Sequence, residues 1–339
     1  MRKYVLLACV LMGMLTAAFP QSIHRIMFYN IENLFDIKDE PGKKDEEFTP
    51  WGEKHWSKNR YIYKLRNIAE AIERTGEGEW PLVVGIAEVE NKHVLEDLTF
   101  KTRLAAAGYR IIHQDSPDER GIDVALLYRK DYMKLLEQEF LTVNLYKQKT
   151  LHTRDILYAK MLMGSDTLHF MVCHFPSMRG GEKQSDWKRL QAAKTLKQKT
   201  DSLCLQAVAP AIVIMGDMNS QADGPALKVM CDDFPSGACE DRRLYNLNSY
   251  LSDSKHGTYR FRGQWQTIDH IIVSGNLLNG GNKYQIRGRM KIFSAPFLLE
   301  EDRRYFGFKP KPTYRGPRYI GGYSDHLPVY IDLRRMRDK

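Results

Sequence analysis

The sequence predicts an α+β fold, and three observations predict it. Apolar strand-like runs alternate with runs of helical periodicity along the chain. Many of the strand runs are hairpin-like, which fits neither a doubly wound dinucleotide fold nor a barrel of eight repeated units. No Pro/Ser-rich linker divides residues 21–339, so that stretch is expected to be a single domain.

Residues 1–20 stand apart as a signal peptide. Arg2 and Lys3 precede an almost wholly apolar run from Tyr4 to Phe19, and Thr16-Ala17-Ala18 supplies small residues before Gln21-Ser22. This is the pattern of a cleaved export signal, too short for a membrane span, so an exported protein, periplasmic or secreted and without a transmembrane segment, is expected. Leu6-Leu7-Ala8-Cys9 resembles a lipid-attachment box, but the apolar run before Cys9 is very short and continues past it, so Cys9 is read as part of the signal core.

In the remainder, 23–30 reads as a strand ending in a turn. Residues 36–60, with Pro41-Gly42 and Pro50, read as a long functional loop whose Trp51, His55 and Trp56 are candidates to line a groove. Over 61–72, Ile62, Leu65, Ile68, Ala69 and Ile72 fall on one helical face. Strand 82–87, helix 94–107 and strands 109–113, 122–128 and 134–143 follow. Strands 159–163 and 168–173 flank the Gly164-Ser165-Asp166 turn, and 185–205 is a long helix. The strand at 211–215 stops at Gly216, and 267–273 and 329–333 are the last clear strands. The basic, Pro/Gly-rich segment 303–322 reads as a surface loop.

Of the 339 residues, 43% are hydrophobic and 27% charged, which excludes a disordered or collagen-like chain. A chain this long buries a core without disulfide or metal staples. The net charge of +9 favours polyanionic partners such as nucleic acid, phosphorylated ligands or acidic lipid. Arg303, Arg304, Tyr305, Lys309, Lys311, Arg315 and Arg318 form the candidate basic patch; no aromatic run interleaved with basic residues is read as a base-stacking platform. Apart from Cys9 there remain Cys173, Cys204, Cys231 and Cys239, with no C-x-x-C, so no structural zinc is expected. Cys173 is expected to be buried, and Cys231 with Cys239 is the one pair worth testing for a disulfide.

The chemistry sits at strand ends. Strand 23–30 runs into Asn30-Ile31-Glu32-Asn33, strand 82–87 into Glu88, strand 168–173 into His174, and strand 211–215 into Asp217-Met218-Asn219. Asp269-His270 lies within strand 267–273, and Ser324-Asp325-His326 precedes the last strand. Loops at the edge of a buried sheet are where rigid scaffolds place function. Hard carboxylate ligands suit Mg²⁺ or Mn²⁺.

This ordered set, Asn30, Glu88, His174, Gly216-Asp217-Met218-Asn219, Asp269 and Ser324-Asp325-His326, resembles the endonuclease/exonuclease/phosphatase superfamily of deoxyribonuclease I-like enzymes over about residues 23–333. The resemblance implies a four-layer α/β/β/α sandwich of two face-to-face mixed sheets with helices outside. It also implies hydrolysis of a phosphate ester by in-line attack of water, assisted by one or two Mg²⁺ or Mn²⁺ ions. In that reading Glu88 is the principal metal ligand, joined by Asn30, Asp325 and Asp217. Glu32 stands where some relatives carry a second metal-site acid, whereas Glu90 is read as surface.

Asp217 would polarise the attacking water or hold a second metal, and Asn219 would bond a phosphate oxygen. His326 would be oriented by Asp269 and would act on the phosphate, the leaving oxygen or the water. His174 and Arg179 would contact substrate phosphate, and Asp123 would orient His174. A histidine at position 174 leans away from the abasic-site endonucleases, which carry tyrosine there. His270, pointing to the opposite face from Asp269, is read as structural. A secreted nuclease or other phosphodiesterase is the first expectation. The alternative is a phosphatase or phospholipase C-type hydrolase acting on inositol phosphates, sphingomyelin-like head groups or other phosphorylated small molecules. No obligate protein partner is implied.

Overall fold

In the computed structural model, residues 23–145, 152–235, 237–248, 256–281 and 283–336 are described. The expected signal at 1–20, with Cys9, lies outside them. Among the described residues no helix is long and apolar enough to cross a membrane.

The period-2 patterns close into two mixed sheets. The first is built from β1 (Ile23–Leu34), β2 (Val83–Val89), β3 (Tyr109–His113) and β4 (Asp123–Arg129). The second takes β5 (Lys134–Leu141), β6 (Ile156–Met163), β7 (Asp166–His174), β8 (Ala211–Asp217) and β9 (Leu244–Asn246). A small hairpin, β10 (Tyr259–Phe261) and β11 (Gln264–Gln266), precedes β12 (Asp269–Ser274), which returns to the second sheet. β13 (Tyr284–Ile286) and β14 (Lys291–Ile292) edge the first sheet. Two hairpins follow, β15 (Leu299–Glu301) with β16 (Phe308–Pro310) and β17 (Tyr314–Arg315) with β18 (Arg318–Tyr319), before β19 (Val329–Arg335). The sheet orders are β13-β19-β1-β2-β4-β3, with β14 also on β19, and β5-β6-β7-β8-β12-β9.

Alternation along each strand sorts its side chains into layers. Ile26 and Phe28 of β1 meet Phe170, Val213 and Met215 of the second sheet in the central core. Met27 and Tyr29 face outward onto α1 (Lys58–Thr75) and α2 (Lys92–Phe100). On the far side, Met171, Cys173, Ile212 and Ile214 pack against α3 (Glu182–Gln206) and α4 (Pro225–Met230), while the short α5 (Gly275–Asn279) follows β12. The result is the α/β/β/α sandwich. Gly85 marks how closely the sheets approach: a Cβ there would lie 2.5 Å from the Met215 sulfur.

The structure departs from the sequence reading in several places. The expected helix 94–107 is divided, because the Thr102 hydroxyl bonds the Leu98 carbonyl at 2.5 Å and accepts the Leu104 amide, ending α2 and capping a separate 3-10 turn. The 303–322 loop contains strand residues of two hairpins too short to show a period. Trp56 does not line a groove: it is fully buried, its indole N–H donates to the Phe35 carbonyl at 2.9 Å, and it pins the long loop beside Phe48. Trp51 and His55 are exposed. Cys173 is buried, and Cys231 and Cys239 are both free thiols.

Candidate active site

Each sheet has one parallel pair at its centre, β1 with β2 and β7 with β8. Parallel strands end on the same edge, so Asn30 finishes beside Glu88, and His174 pairs in register with Asp217. The antiparallel neighbours begin where those strands stop. Asp269 opens β12 opposite Asp217, and the residues before β19 return to the end of β1. Separated sequence positions thereby meet at one rim of the sandwich.

Two contacts suture the sheets. Asn30 Nδ2 donates to Asp217 Oδ2 at 3.0 Å, and His326 Nδ1 lies 2.8 Å from Asp269 Oδ2. Ser324 fixes the last loop by donating to the Asn30 carbonyl at 2.7 Å and accepting the His326 amide at 3.0 Å. Asp217 Oδ2 lies 3.6 Å from His174 Nε2 and 3.7 Å from His326 Nε2, while His174 Nε2 is 3.8 Å from Glu88 Oε1. Glu88, at φ 65°, is anchored by the Asn33 amide at 3.0 Å.

The two histidines are driven apart electrostatically. Burial opposes charge on His326, but Asp269, Asp217 and Asp325 outweigh it and hold its pKa well above the ordinary value. His174 is pushed well below that value, first by burial and then by Arg154, Arg120 and His326. Their surroundings thus favour the charged form of His326 and the neutral form of His174. Burial raises Asp217 to about 7 against the pull of His326, and raises Glu32 to about 7 despite Lys64.

Several expected roles change. Asp123 does not pair with His174: its Oδ1 accepts the Ser116 amide at 3.1 Å and the Ser116 hydroxyl, closing a local turn, and His174 Nδ1 has no partner among the described residues. Glu90 is not a surface group; it is 3% exposed, accepts the Asp36 amide at 2.5 Å, and burial raises it to about 8. Asn219 spends a side-chain donor on the Phe175 carbonyl at 3.0 Å, while its backbone amide bonds Asp217 Oδ1 at 2.9 Å. Arg179 is exposed on the loop after β7, with no ion pair among the described residues. His270 is fully buried between Asn246 at 3.1 Å and the Ser220 carbonyl at 2.8 Å, where it braces the turn after Asp217.

Four contributors carry no sequence motif. Lys64 of α1 is 1% exposed, and its ammonium donates to Thr313 Oγ1 at 2.5 Å and the Tyr323 carbonyl at 2.6 Å while standing 3.6 Å from Glu32. Arg154 pairs with Asp118 at 3.1 Å and donates to the Phe175 carbonyl at 3.0 Å. Arg120 donates to Asn33 Oδ1. The Tyr259 ring lies 5.0 Å from that of His326, and burial followed by Asp325, Asp217, Glu88 and Glu32 pushes its phenol up to about 12. Lys64 sits on the apolar face of a helix at 61–72, and that position is the one signal the sequence offered.

The donor set fits a hard divalent cation. Asp325 accepts no hydrogen bond from the described residues, and burial with Glu88 and Asp217 nearby raises its pKa against His326 and Lys64. Asp217, Asp269 and His326 offer ligand atoms within 4.8 Å of one another, but the last two are bonded to each other. Glu88 and Asp325, with Asn30 and Asp217 at the margin, are the oxygen donors suited to Mg²⁺ or Mn²⁺.

Gly216 sets the approach of β8 to β7. A Cβ there would lie 2.2 Å from the Cys173 carbonyl oxygen, so the strands must separate. Gly216→Ala is expected to cost about 1–3 kcal/mol and about 10²-fold in turnover through displaced Asp217. Thermal melts and rate measurements check this; an unchanged rate refutes the strand-spacing argument.

The model of the Endonuclease/Exonuclease/phosphatase family matches residues 25–335. No curated protein sequence matches the chain. Similar solved structures include an endonuclease/exonuclease/phosphatase family protein from Bacteroides thetaiotaomicron, with TM-score 0.58 and 17% identity over 94% of this chain and 100% of that one. D. rerio TDP2 complexed with single strand DNA product gives TM-score 0.56 and 15% identity over 92% and 99%. A mannosyl-6-phosphatase from Bacteroides thetaiotaomicron VPI-5482 gives 0.56 and 17% over 91% and 99%. At these identities the likeness is one of fold.

Proposed function

Because the chain belongs to the endonuclease/exonuclease/phosphatase family, we propose that it is a Mg²⁺- or Mn²⁺-dependent phosphodiesterase that cleaves nucleic acid by in-line attack of water. The observation that carries this reading is the meeting of half-buried Glu88 and Asp325 with buried Asp217, His174 and His326 at one rim of the sandwich. A divalent ion held by Glu88 and Asp325 would offset phosphate charge and polarise the P–O bond. Asp217, aimed by Asn30 and the Asn219 amide, would orient the attacking water and take its proton. His326, kept cationic by Asp269, would donate from Nε2 to a phosphate or leaving oxygen. Arg120 and Arg154 add positive potential on the His174 side.

The same cluster would serve a phosphomonoester, as the likeness to a mannosyl-6-phosphatase suggests. The net charge of +9 favours a polyanion instead. We propose further that residues 1–20 direct export. Plasmid nicking and oligonucleotide cleavage, run beside sugar phosphates, inositol phosphates and sphingomyelin with and without EDTA, test the substrate class. Nucleic-acid cleavage abolished by EDTA is expected. Metal-dependent hydrolysis of a lipid or sugar phosphate without nucleic-acid cleavage refutes the nuclease reading.

Metal affinity should depend on pH. Burial raises Asp217 to about 7, so below that pH a cation held at Asp217 must displace its proton. Mn²⁺ binding followed by calorimetry is expected to weaken as pH falls from about 8 to about 6. Affinity independent of pH across that range would contradict the electrostatic assignment.

A further inference from the structure

Beyond Tyr259, the β10–β11 hairpin carries features the catalytic cluster does not use. Arg260, next along the strand, has a side chain only 7% exposed. It donates to the carbonyls of Gly263 at 3.1 Å, Phe306 at 2.7 Å and Phe308 at 2.6 Å, and faces Asp302 at 3.5 Å. This locks the hairpin onto the β15–β16 turn, and two cavities share Arg260 as a wall. One, of about 730 Å³, is lined by Arg262, Arg303, Arg304, Lys309, Arg315 and Arg318 among others. The other, of about 410 Å³, is lined by Trp265, Phe308, Leu299, Ile292 and Leu327 among others.

The basic cavity is not neutralised. Glu300 is shared by Arg315 at 2.7 Å and Lys309 at 3.5 Å, and Glu301 takes Arg303 at 3.3 Å. Arg262, Arg304 and Arg318 engage no carboxylate among the described residues. Around these cations stand exposed rings: Phe306 is 82% exposed, Phe308 61%, Phe261 49% and Tyr305 38%. Arg262 lies 5.1 Å from the Phe261 ring centre, and Arg304 lies 5.3 Å from that of Tyr305. Exposed apolar residues are ordinary when scattered singly, whereas clustered ones mark an interaction surface. The sequence reading found no aromatic–basic platform; folding brings together two turns some 40 residues apart, so that Arg262 of one and Arg303, Arg304 and Tyr305 of the other line a single cavity.

We propose that this surface binds single-stranded nucleic acid, with unpaired bases against the rings and the apolar cavity and backbone phosphates in the arginine cavity. The proposal rests on the phosphodiesterase reading for its link to catalysis, since Tyr259 joins this hairpin to His326. Ring faces accept any unpaired base, and guanidinium forks match phosphate oxygens. A duplex keeps its base faces stacked internally and gains only the charge term.

The test is fluorescence anisotropy on the full chain in EDTA, which prevents cleavage, with a thymidine oligonucleotide, a blunt DNA duplex and vesicles containing anionic phospholipid. The single strand is expected to bind at least about tenfold more tightly than the duplex, since stacking needs exposed base faces and the charge term does not. Phe306→Ser with Phe308→Ser should weaken the single strand by about tenfold or more with an unchanged melting temperature. Arg262→Ala with Arg304→Ala should lower affinity and flatten its salt dependence. Equal binding of single strand and duplex, loss of neither on ring removal, or ring-dependent binding of vesicles in place of DNA overturns the proposal. Hydrolysis of bis(p-nitrophenyl) phosphate, measured separately with Mg²⁺, reports on the catalytic reading. Its absence beside intact single-strand binding would sink that reading and leave this one standing.

Discussion

Glu88→Gln and His326→Ala are each expected to lower turnover by at least about 10³-fold while the melting temperature stays near that of the parent chain. Among the described residues Glu88 accepts only the Asn33 amide and otherwise faces the cluster, so its neutral isostere keeps the fold and loses the charge a cation needs. His326 is the cation of the site, and alanine removes the donor aimed past Asp217. Asp269→Asn tests how that cation is held. Its Oδ2 accepts a hydrogen bond from His326 Nδ1–H at 2.8 Å, and an amide that presents N–H there would enforce the wrong tautomer. The Asp269→Asn and His326→Ala double variant should be no slower than His326→Ala alone, because the pair acts as a unit. Near-full activity in either single variant, measured with Mn²⁺ in excess, would overturn the site assignment.

Lys64→Met is expected to be the most destabilising of the substitutions considered, by about 3–5 kcal/mol. The methionine fills the volume of the stem but removes the charge that faces Glu32. Glu32 then keeps only neutral donors from Thr313 among the described residues, its amide at 2.6 Å and its side chain. Thr313 Oγ1 and the Tyr323 carbonyl lose their donor in the same step. The loss should be smaller at acid pH. Burial already raises Glu32 to about 7, and Lys64 is the main force lowering it, so without Lys64 the group protonates more readily and the uncompensated charge disappears as pH falls. Denaturant melts at about pH 6 and pH 8 measure this, and a deficit equal at both would show that lost packing, rather than unpaired charge, causes it.

What could be read from the sequence, and what could not, follows from the range of the forces involved. Strand-end acids were legible because an apolar run of period two stops at a polar residue, as at Ile214-Met215-Gly216-Asp217. Their order along the chain carries the family resemblance from which the proposed metal ligands and histidine roles come. Lys64, Arg120 and Arg154 were not legible, because their roles come from partners tens to hundreds of positions away, such as the separation of 249 positions from Lys64 to Thr313. Glu90 was misread because it sits beside Glu88 in a stretch that looks solvated, yet the loop at Asp36 folds over it. Asp123 was misplaced because its nearest donor, Ser116, is local and captures it first. The two- and three-residue strands between β12 and β19 are shorter than any period that could announce them.

The contact from Asn30 to Asp217 runs from one sheet to the other, and Asp269 of the second sheet reaches His326 in the loop that enters β19 of the first. Glu88 belongs to one layer, while His174 and Asp217 belong to its neighbour. Neither layer, however well formed by itself, carries the reacting constellation. The hydrolytic power of such a chain therefore stays latent until the halves dock.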